Sequence, residues 1–314
     1  MARVSVLLSA CIGTIGSMLI FGADAEPSKP EKVQAALERW LVERAPLEKV
    51  TGIAAYISFG DPGPAIEAFA GTTGRSSSDG PISQDTLFQM GSTSKSFTAA
   101  VILKLEAAGT LSLDDTIGKW LPEYSAWRDV SIRRLLNMTS GIPNYSETEA
   151  MSRLWVEEPQ RDLSAEELVR MVYPTTSSLP ITTGYHYSNT NYILASMIAE
   201  TASRKSFRDL VQELVIRAVG LHSTFYESGT YPQAVVQRLA HGYFENPACT
   251  DYQPKDCATS WNLPLVGRDV RAMSSSWTQA AGGAVSNPRD VDRWMRAVFG
   301  GRVVPAKQQG EWYV

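Results

Sequence analysis

The 314 residues carry 44% hydrophobic side chains, 20% charged ones and a formal net charge of -4. A chain of that size and apolar content can bury a large core, as one domain or as two closely packed ones. With 29 basic against 33 acidic residues there is no positive field to draw in nucleic acid or an anionic membrane surface. The expected partner is a small-molecule or peptide substrate, with no stable protein partner implied.

The chain opens with Arg3, an apolar run from Val4 to Phe21, and Ala23-Asp24-Ala25 before the charged segment Glu26 to Lys32. That order reads as a signal peptide over residues 1–25, leaving 26–314 as the folded domain and placing it outside the cytoplasm, in the periplasm. Two other readings stay open. The run nears the length of a membrane-spanning helix, which would anchor the protein, and Leu8-Ser9-Ala10-Cys11 resembles a lipid-attachment site. Past the leader, Cys249 and Cys257 sit in a Pro-containing, loop-like stretch. An oxidising compartment favours a disulfide between them, and two free thiols are the alternative. His186, His222 and His241 are scattered without metal-site spacing, so no metal is expected.

Val33, Leu37, Trp40 and Leu41 recur at helical spacing and predict an amphipathic helix over 31–45. Residues 52–59 and 66–70, parted by Asp61-Pro62-Gly63, predict a β-hairpin. From Ser92 onward helical signals dominate. Phe97 to Ala108 stops at Gly109, Ser164 and Ser206 each stand three residues ahead of an acid, and Asn287-Pro288 opens a helix running to about Phe299. After Gly300 only Val303-Val304 and Trp312-Tyr313-Val314 have strand character. Strands first and a long helical middle indicate an α/β fold, an antiparallel sheet flanked by helices with a mostly helical subdomain. Such a sheet needs further strands than these residues supply, so the chain is expected to be C-terminally incomplete.

The chemistry centres on Ser92-Thr93-Ser94-Lys95. A serine and a lysine three apart at a helix start lie on one face, one turn apart, so the amine reaches the hydroxyl. A serine hydroxyl is a weak nucleophile until a base takes its proton, and a lysine desolvated in a cleft can lose its charge and serve as that base. A solvated Ser and Lys on a helix surface would show the same spacing, so context decides.

That context is Phe88-Gln89-Met90-Gly91-Ser92-Thr93-Ser94-Lys95, a second element Tyr187-Ser188-Asn189, and an ordered series between and beyond them. The series comprises Leu111 to Asp115, Thr139-Ser140-Gly141, and Ala281-Gly282-Gly283 with Ser286 and Asp290. On these residues the chain resembles the serine β-lactamase and DD-peptidase superfamily, most closely its class C-like branch. The resemblance implies a β-lactamase/transpeptidase-like fold and no cofactor. Position by position, it implies that Ser92 is acylated, that Lys95 takes its proton and that Tyr187 relays protons to the leaving group and from the deacylating water. It further implies that Asn189 hydrogen-bonds the acyl side chain of the substrate, and that the Ser92 backbone N–H forms half of an oxyanion hole.

D-alanyl-D-alanine peptides, β-lactams and esters are the implied substrates, with a DD-carboxypeptidase the leading expectation. Two departures stand out. Met138 occupies a place where relatives usually carry histidine, a change expected to concern packing. No Lys-Thr-Gly, Lys-Ser-Gly or His-x-Gly follows Tyr187, which leaves a degenerate penicillin- or muropeptide-binding protein as the alternative.

Overall fold

The computed structural model describes residues 26–60, 63–174, 184–244, 265–271 and 273–312. The signal-peptide reading of 1–25 and the Cys249 and Cys257 pair lie outside the described residues. Among the described residues no helix is long and apolar enough to cross a membrane.

Helix α1 spans Lys29–Glu48, longer at both ends than its apolar spacing indicates. Ser28 extends it at the start, because its hydroxyl accepts from the Glu31 N–H while the Glu31 carboxylate accepts from the Ser28 N–H at 2.7 Å. Strands β1 (Gly52–Ser58) and β2 (Ala65–Gly71) form the expected antiparallel hairpin. Gln34 of α1 clips onto β2 through both the N–H and the carbonyl of Phe69. The short strand β3 (Phe88–Gln89) then leads through a 3-10 turn at Gly91–Ser94 into α2 (Lys95–Ala107). Gly109 closes α2 with φ +70, a left-handed conformation that favours glycine.

The middle of the chain is helical. Helices α3 (Ile117–Trp120), α4 (Ile132–Leu136), α5 (Glu149–Glu157) and α6 (Ala165–Arg170) precede α7 (Asn189–Ser203) and α8 (Phe207–Val211). A π-helical turn at Gln212–Arg217 continues α8. The serines read as helix starts act as such: Ser164 makes a reciprocal capping box with Glu167, and Ser206 accepts from the Asp209 N–H at 3.1 Å. Strand β4 (Phe225–Tyr226), α9 (Gln233–Val236), α10 (Gln279–Gly282) and β5 (Ala284–Ser286) follow. Asn287 then caps α11 (Pro288–Phe299), accepting from the Asp290 N–H at 2.9 Å, with Pro288 at the first helical position.

The strand character assigned to Val303, Val304 and Trp312 is corrected, while Tyr313 and Val314 lie outside the described residues. Val303 and Val304 are buried in the core without joining a sheet, and Ala306–Trp312 forms helix α12. Pro305 presets the start of a helix, and Ala, Lys and Gln are strong helix formers that outweigh the aromatic Trp312 at the end.

The sheet is present in two pieces among the described residues, the hairpin and a three-stranded antiparallel sheet of order β3-β5-β4. The core lies between helices α2 and α7. Phe97, Val101 and Ile102 of α2 and Ile193, Leu194 and Ile198 of α7 are fully enclosed, as expected of helices apolar on most sides. Trp294 of α11 meets Phe97 edge to face at 4.8 Å and donates its indole N–H to Ser96 Oγ at 2.8 Å. These contacts fix the first turn of α2, which carries Lys95.

Candidate active site

The four residues singled out in sequence form one hydrogen-bonded chain. Ser92 Oγ stands 2.6 Å from the Tyr187 hydroxyl and 3.1 Å from Lys95 Nζ, and Lys95 Nζ donates to Asn189 Oδ1 at 2.7 Å. Lys95 is buried, and burial alone pulls its pKa down to about 8. Its ammonium also lies 4.9 Å from the centre of the Tyr187 ring and 5.5 Å from that of Tyr192.

The segment from α10 to β5 braces the Ser92–Lys95 turn from behind. Lys95 Nζ donates to the Ala281 carbonyl at 2.6 Å, and Thr98 Oγ1 donates to Ala280 O at 2.7 Å. The Ala284 N–H donates to Ser94 Oγ at 3.1 Å, while the Met90 N–H donates to Ala284 O at 2.9 Å. Gly91, just before Ser92, takes φ +52, so the chain turns sharply from β3 into the helix.

The count of protons at Lys95 decides what this geometry can do. Ala281 O and Asn189 Oδ1 are acceptors only, and a neutral amine has two N–H groups to give them. Its lone pair is then left toward Ser92 Oγ, the orientation required to accept the serine proton as the hydroxyl attacks a carbonyl. The Tyr187 hydroxyl, at hydrogen-bond distance on the other side of Ser92 Oγ, can pass a proton to a leaving group or take one from water.

The second motif is held by residues that the sequence reading did not assign to the site. Asn189 Nδ2 donates to Ser146 Oγ at 3.0 Å while its Oδ1 accepts from Lys95, so both ends of the side chain are engaged within the site, and the backbone N–H of Asn189 donates to Asn144 Oδ1 at 3.1 Å. Ser188 Oγ and Thr190 Oγ1 both donate to Pro143 O. Met138 does more than pack: its sulfur accepts from the Ser188 N–H and from Asn191 Nδ2, each at 3.4 Å, and its carbonyl accepts from the His186 N–H. It does so with φ +59, a conformation costly for a side chain of its size. Thr139-Ser140-Gly141 was a signal for this cradle, since Ser140 Oγ donates to Asn191 Oδ1 at 2.7 Å; nothing in the sequence pointed to Ser146.

Of the histidines, His241 lies outside this cluster, with Nδ1 2.8 Å from Asp269 and its ring stacked on Tyr243. Among the described residues no group of three or more metal-ligating side chains gathers.

Among solved structures, the chain is similar to a D-amino acid amidase from Ochrobactrum anthropi SV3 complexed with L-phenylalanine amide, with TM-score 0.71 and 26% identity over 90% of this chain and 73% of that one. A D-stereospecific amidohydrolase from Streptomyces sp. superposes with TM-score 0.68 at 25% identity, covering 88% and 75% of the two chains. Among curated relatives, a penicillin-binding protein of Bacillus subtilis (strain 168) is 31% identical over 166 residues, 52% of this chain and 36% of that protein. An unguisins hydrolase of Aspergillus campestris is 30% identical over 235 residues, 69% of this chain and 39% of that protein. The chain thus spans well under half the length of these two relatives. The model of the Beta-lactamase family matches residues 48–311, and the chain belongs to that family.

Proposed function

We propose that this chain is a serine hydrolase that acts through an acyl-enzyme on Ser92, cleaving small amides and peptides in which a D-amino acid flanks the scissile bond. D-alanyl-D-alanine peptides are the first candidates, as in a DD-carboxypeptidase. The single observation that carries the reading is the placement of Ser92 Oγ between the Tyr187 hydroxyl at 2.6 Å and a desolvated Lys95 amine at 3.1 Å. Similarity to a D-amino acid amidase, a D-stereospecific amidohydrolase and a penicillin-binding protein supports the substrate class. Export to the cell envelope, proposed from the apolar leader, would bring such peptides within reach.

In this reading Ser92 Oγ attacks the carbonyl carbon while Lys95 Nζ takes the hydroxyl proton. Tyr187 protonates the departing amine, and a water that gives its proton back through Tyr187 then frees the acid. Incubation of the native protein with a fluorescent penicillin tests it, with intact mass measured beside a Ser92→Ala variant. A covalent adduct on the wild type alone is expected. Labelling of both proteins, or of neither while D-alanyl-D-alanine peptides and p-nitrophenyl esters also stay intact, sinks the proposal.

A further inference from the structure

The side-chain amide of Asn189 has nearly the same shape either way round, so the hydrogen-bonding groups about it decide which end meets Lys95. Those groups come from the 3-10 turn Tyr145–Glu147, which Asn144 caps. The turn is fastened to α7, where the Tyr145 N–H donates to Thr190 Oγ1 at 3.1 Å. The backbone N–H groups of Asn189 and Ser146 can only donate, and both give to Asn144 Oδ1, at 3.1 and 3.4 Å. The oxygen of the buried Asn144 therefore faces the site, and its Nδ2 turns away to donate to Glu147 Oε1 at 3.0 Å. Ser146 Oγ adds its single hydrogen to Asn144 Oδ1 at 3.0 Å. That leaves lone pairs on the hydroxyl, and it accepts from Asn189 Nδ2 at 3.0 Å. The Asn189 oxygen is thus turned to Lys95, whose Nζ donates to it at 2.7 Å.

The opposite placement would disarm the base. With Nδ2 toward Lys95, a neutral amine would accept from the amide through its lone pair, the one that must take the Ser92 proton. Ser146 would also have to withdraw its hydrogen from Asn144 to meet the Asn189 oxygen, and the bond at 3.0 Å would be lost.

We infer that Ser146 is a positioning residue for the base: its hydroxyl, oriented by Asn144, holds the Asn189 amide with its oxygen toward Lys95 and so keeps the lysine lone pair free for Ser92. The inference rests on the acyl-enzyme reading above and adds to it a residue that acts through Asn189. The titratable groups that face Lys95 are Tyr187 and Tyr192, with ring centres 4.9 and 5.5 Å from its Nζ. Arg133 and Glu311, paired with each other, line a cavity that Lys95 also lines, and Glu147 stands at the exposed outer end of the bonded series. All of these stay unchanged in the variants that test the inference.

The test follows the rate of labelling by a fluorescent penicillin from acid to alkaline pH in the wild type, Ser146→Ala and Ser146→Thr. Without the hydroxyl, the amide is free to turn and give Nδ2 to the neutral amine. That bond favours the uncharged lysine and at the same time occupies its lone pair, so midpoint and plateau move together. In the alanine variant the alkaline plateau should fall by about fivefold. By linkage the midpoint then moves about 0.7 pH unit lower. On the acid limb the lysine is charged and has no lone pair to offer, so the rates there should match the wild type. The threonine variant keeps the hydroxyl and should hold both values near those of the wild type.

A loss spread evenly over all pH, or a midpoint that stays or rises, marks mere loosening of the turn and overturns the proposal. So does an alanine variant equal to the wild type, or a threonine variant that behaves as alanine does. If Ser146→Ala does not fold, Ser146→Thr and Ser146→Val, alike in shape and differing by the hydroxyl, give the same comparison. If the wild type takes no label, it is the acyl-enzyme reading that fails, and the amide is then read on Lys95 itself. Its 13Cε resonance should titrate at lower pH in Ser146→Ala than in the wild type, and equal midpoints overturn the positioning role on its own terms.

Discussion

Lys95 and Ala281 are 186 positions apart in the chain, yet the lysine amine donates to the alanine carbonyl at 2.6 Å. With Asn189 Oδ1 as second acceptor, the amine has one direction left, toward Ser92. A charged Lys95 would fill that direction with a third N–H and hold the serine oxygen as an acceptor. A neutral one can take the serine proton.

The rate at which penicillin acylates Ser92 should therefore rise with pH and level off above the Lys95 pKa of about 8. Stopped-flow labelling from acid to alkaline pH measures it, and a flat profile would move the base elsewhere. Stability follows the same proton. Between the folded value of about 8 and the ordinary value of 10.5, the unfolded chain holds a proton that the folded chain has released, so stability rises with pH across that window. The gain is at most about 3 kcal/mol, and below the folded pKa the cost is fully present. Urea midpoints of the wild type against Lys95→Met across this window isolate it, the wild type gaining relative to the variant.

Tyr187→Phe removes the hydroxyl at 2.6 Å from Ser92 Oγ and leaves a ring that is 38% exposed. Acylation should fall by about 10² to 10⁴, while the melting temperature stays within a degree or two. A large thermal shift would show Tyr187 to be structural first.

Met138→Leu keeps the volume and loses the sulfur that accepts from the Ser188 N–H and Asn191 Nδ2. Leaving those buried donors unsatisfied should cost about 1–3 kcal/mol and slow acylation by loosening Tyr187. Met138→His, which restores an acceptor, should recover part of the rate. Chemical denaturation and penicillin labelling together read both effects.

Asp290→Ala should destabilise by about 2–3 kcal/mol. The buried carboxylate accepts from the Ser223 N–H at 2.6 Å and from Thr224 Oγ1 at 3.0 Å, and Thr224 in turn bonds Ser286 of β5. Equilibrium unfolding in urea measures the loss, and a midpoint equal to that of the wild type would contradict it.

Local signals carried most of the fold that could be read in advance. Ser164, Ser206 and Asn287 cap helices because a side-chain oxygen three residues before an N–H acts within one turn. Ser92 and Lys95 stood out by their spacing, Tyr187 and Asn189 by the family resemblance, and the fold brings all four side chains together. What stayed hidden depends on distant contacts. Ser146 has no local feature that announces a bond to Asn189 Nδ2. The thioether of Met138 reads as an apolar side chain until the fold brings two N–H groups to it. Trp312 has strand propensity on its own, but its neighbours and Pro305 favour α12.

The bonds from the α10 and β5 segment to the start of α2 span 182, 186 and 190 positions. During synthesis, a chain that has emerged only as far as residue 270 already displays Ser92, Lys95 and Asn189 but lacks the Ala280 and Ala281 carbonyls and the Ala284 N–H that brace the start of α2. Contacts so remote in sequence are slow to close, because the loop entropy must be overcome before they repay it. The brace on the Ser92–Lys95 turn is therefore expected to close late, when residues 280 to 286 dock.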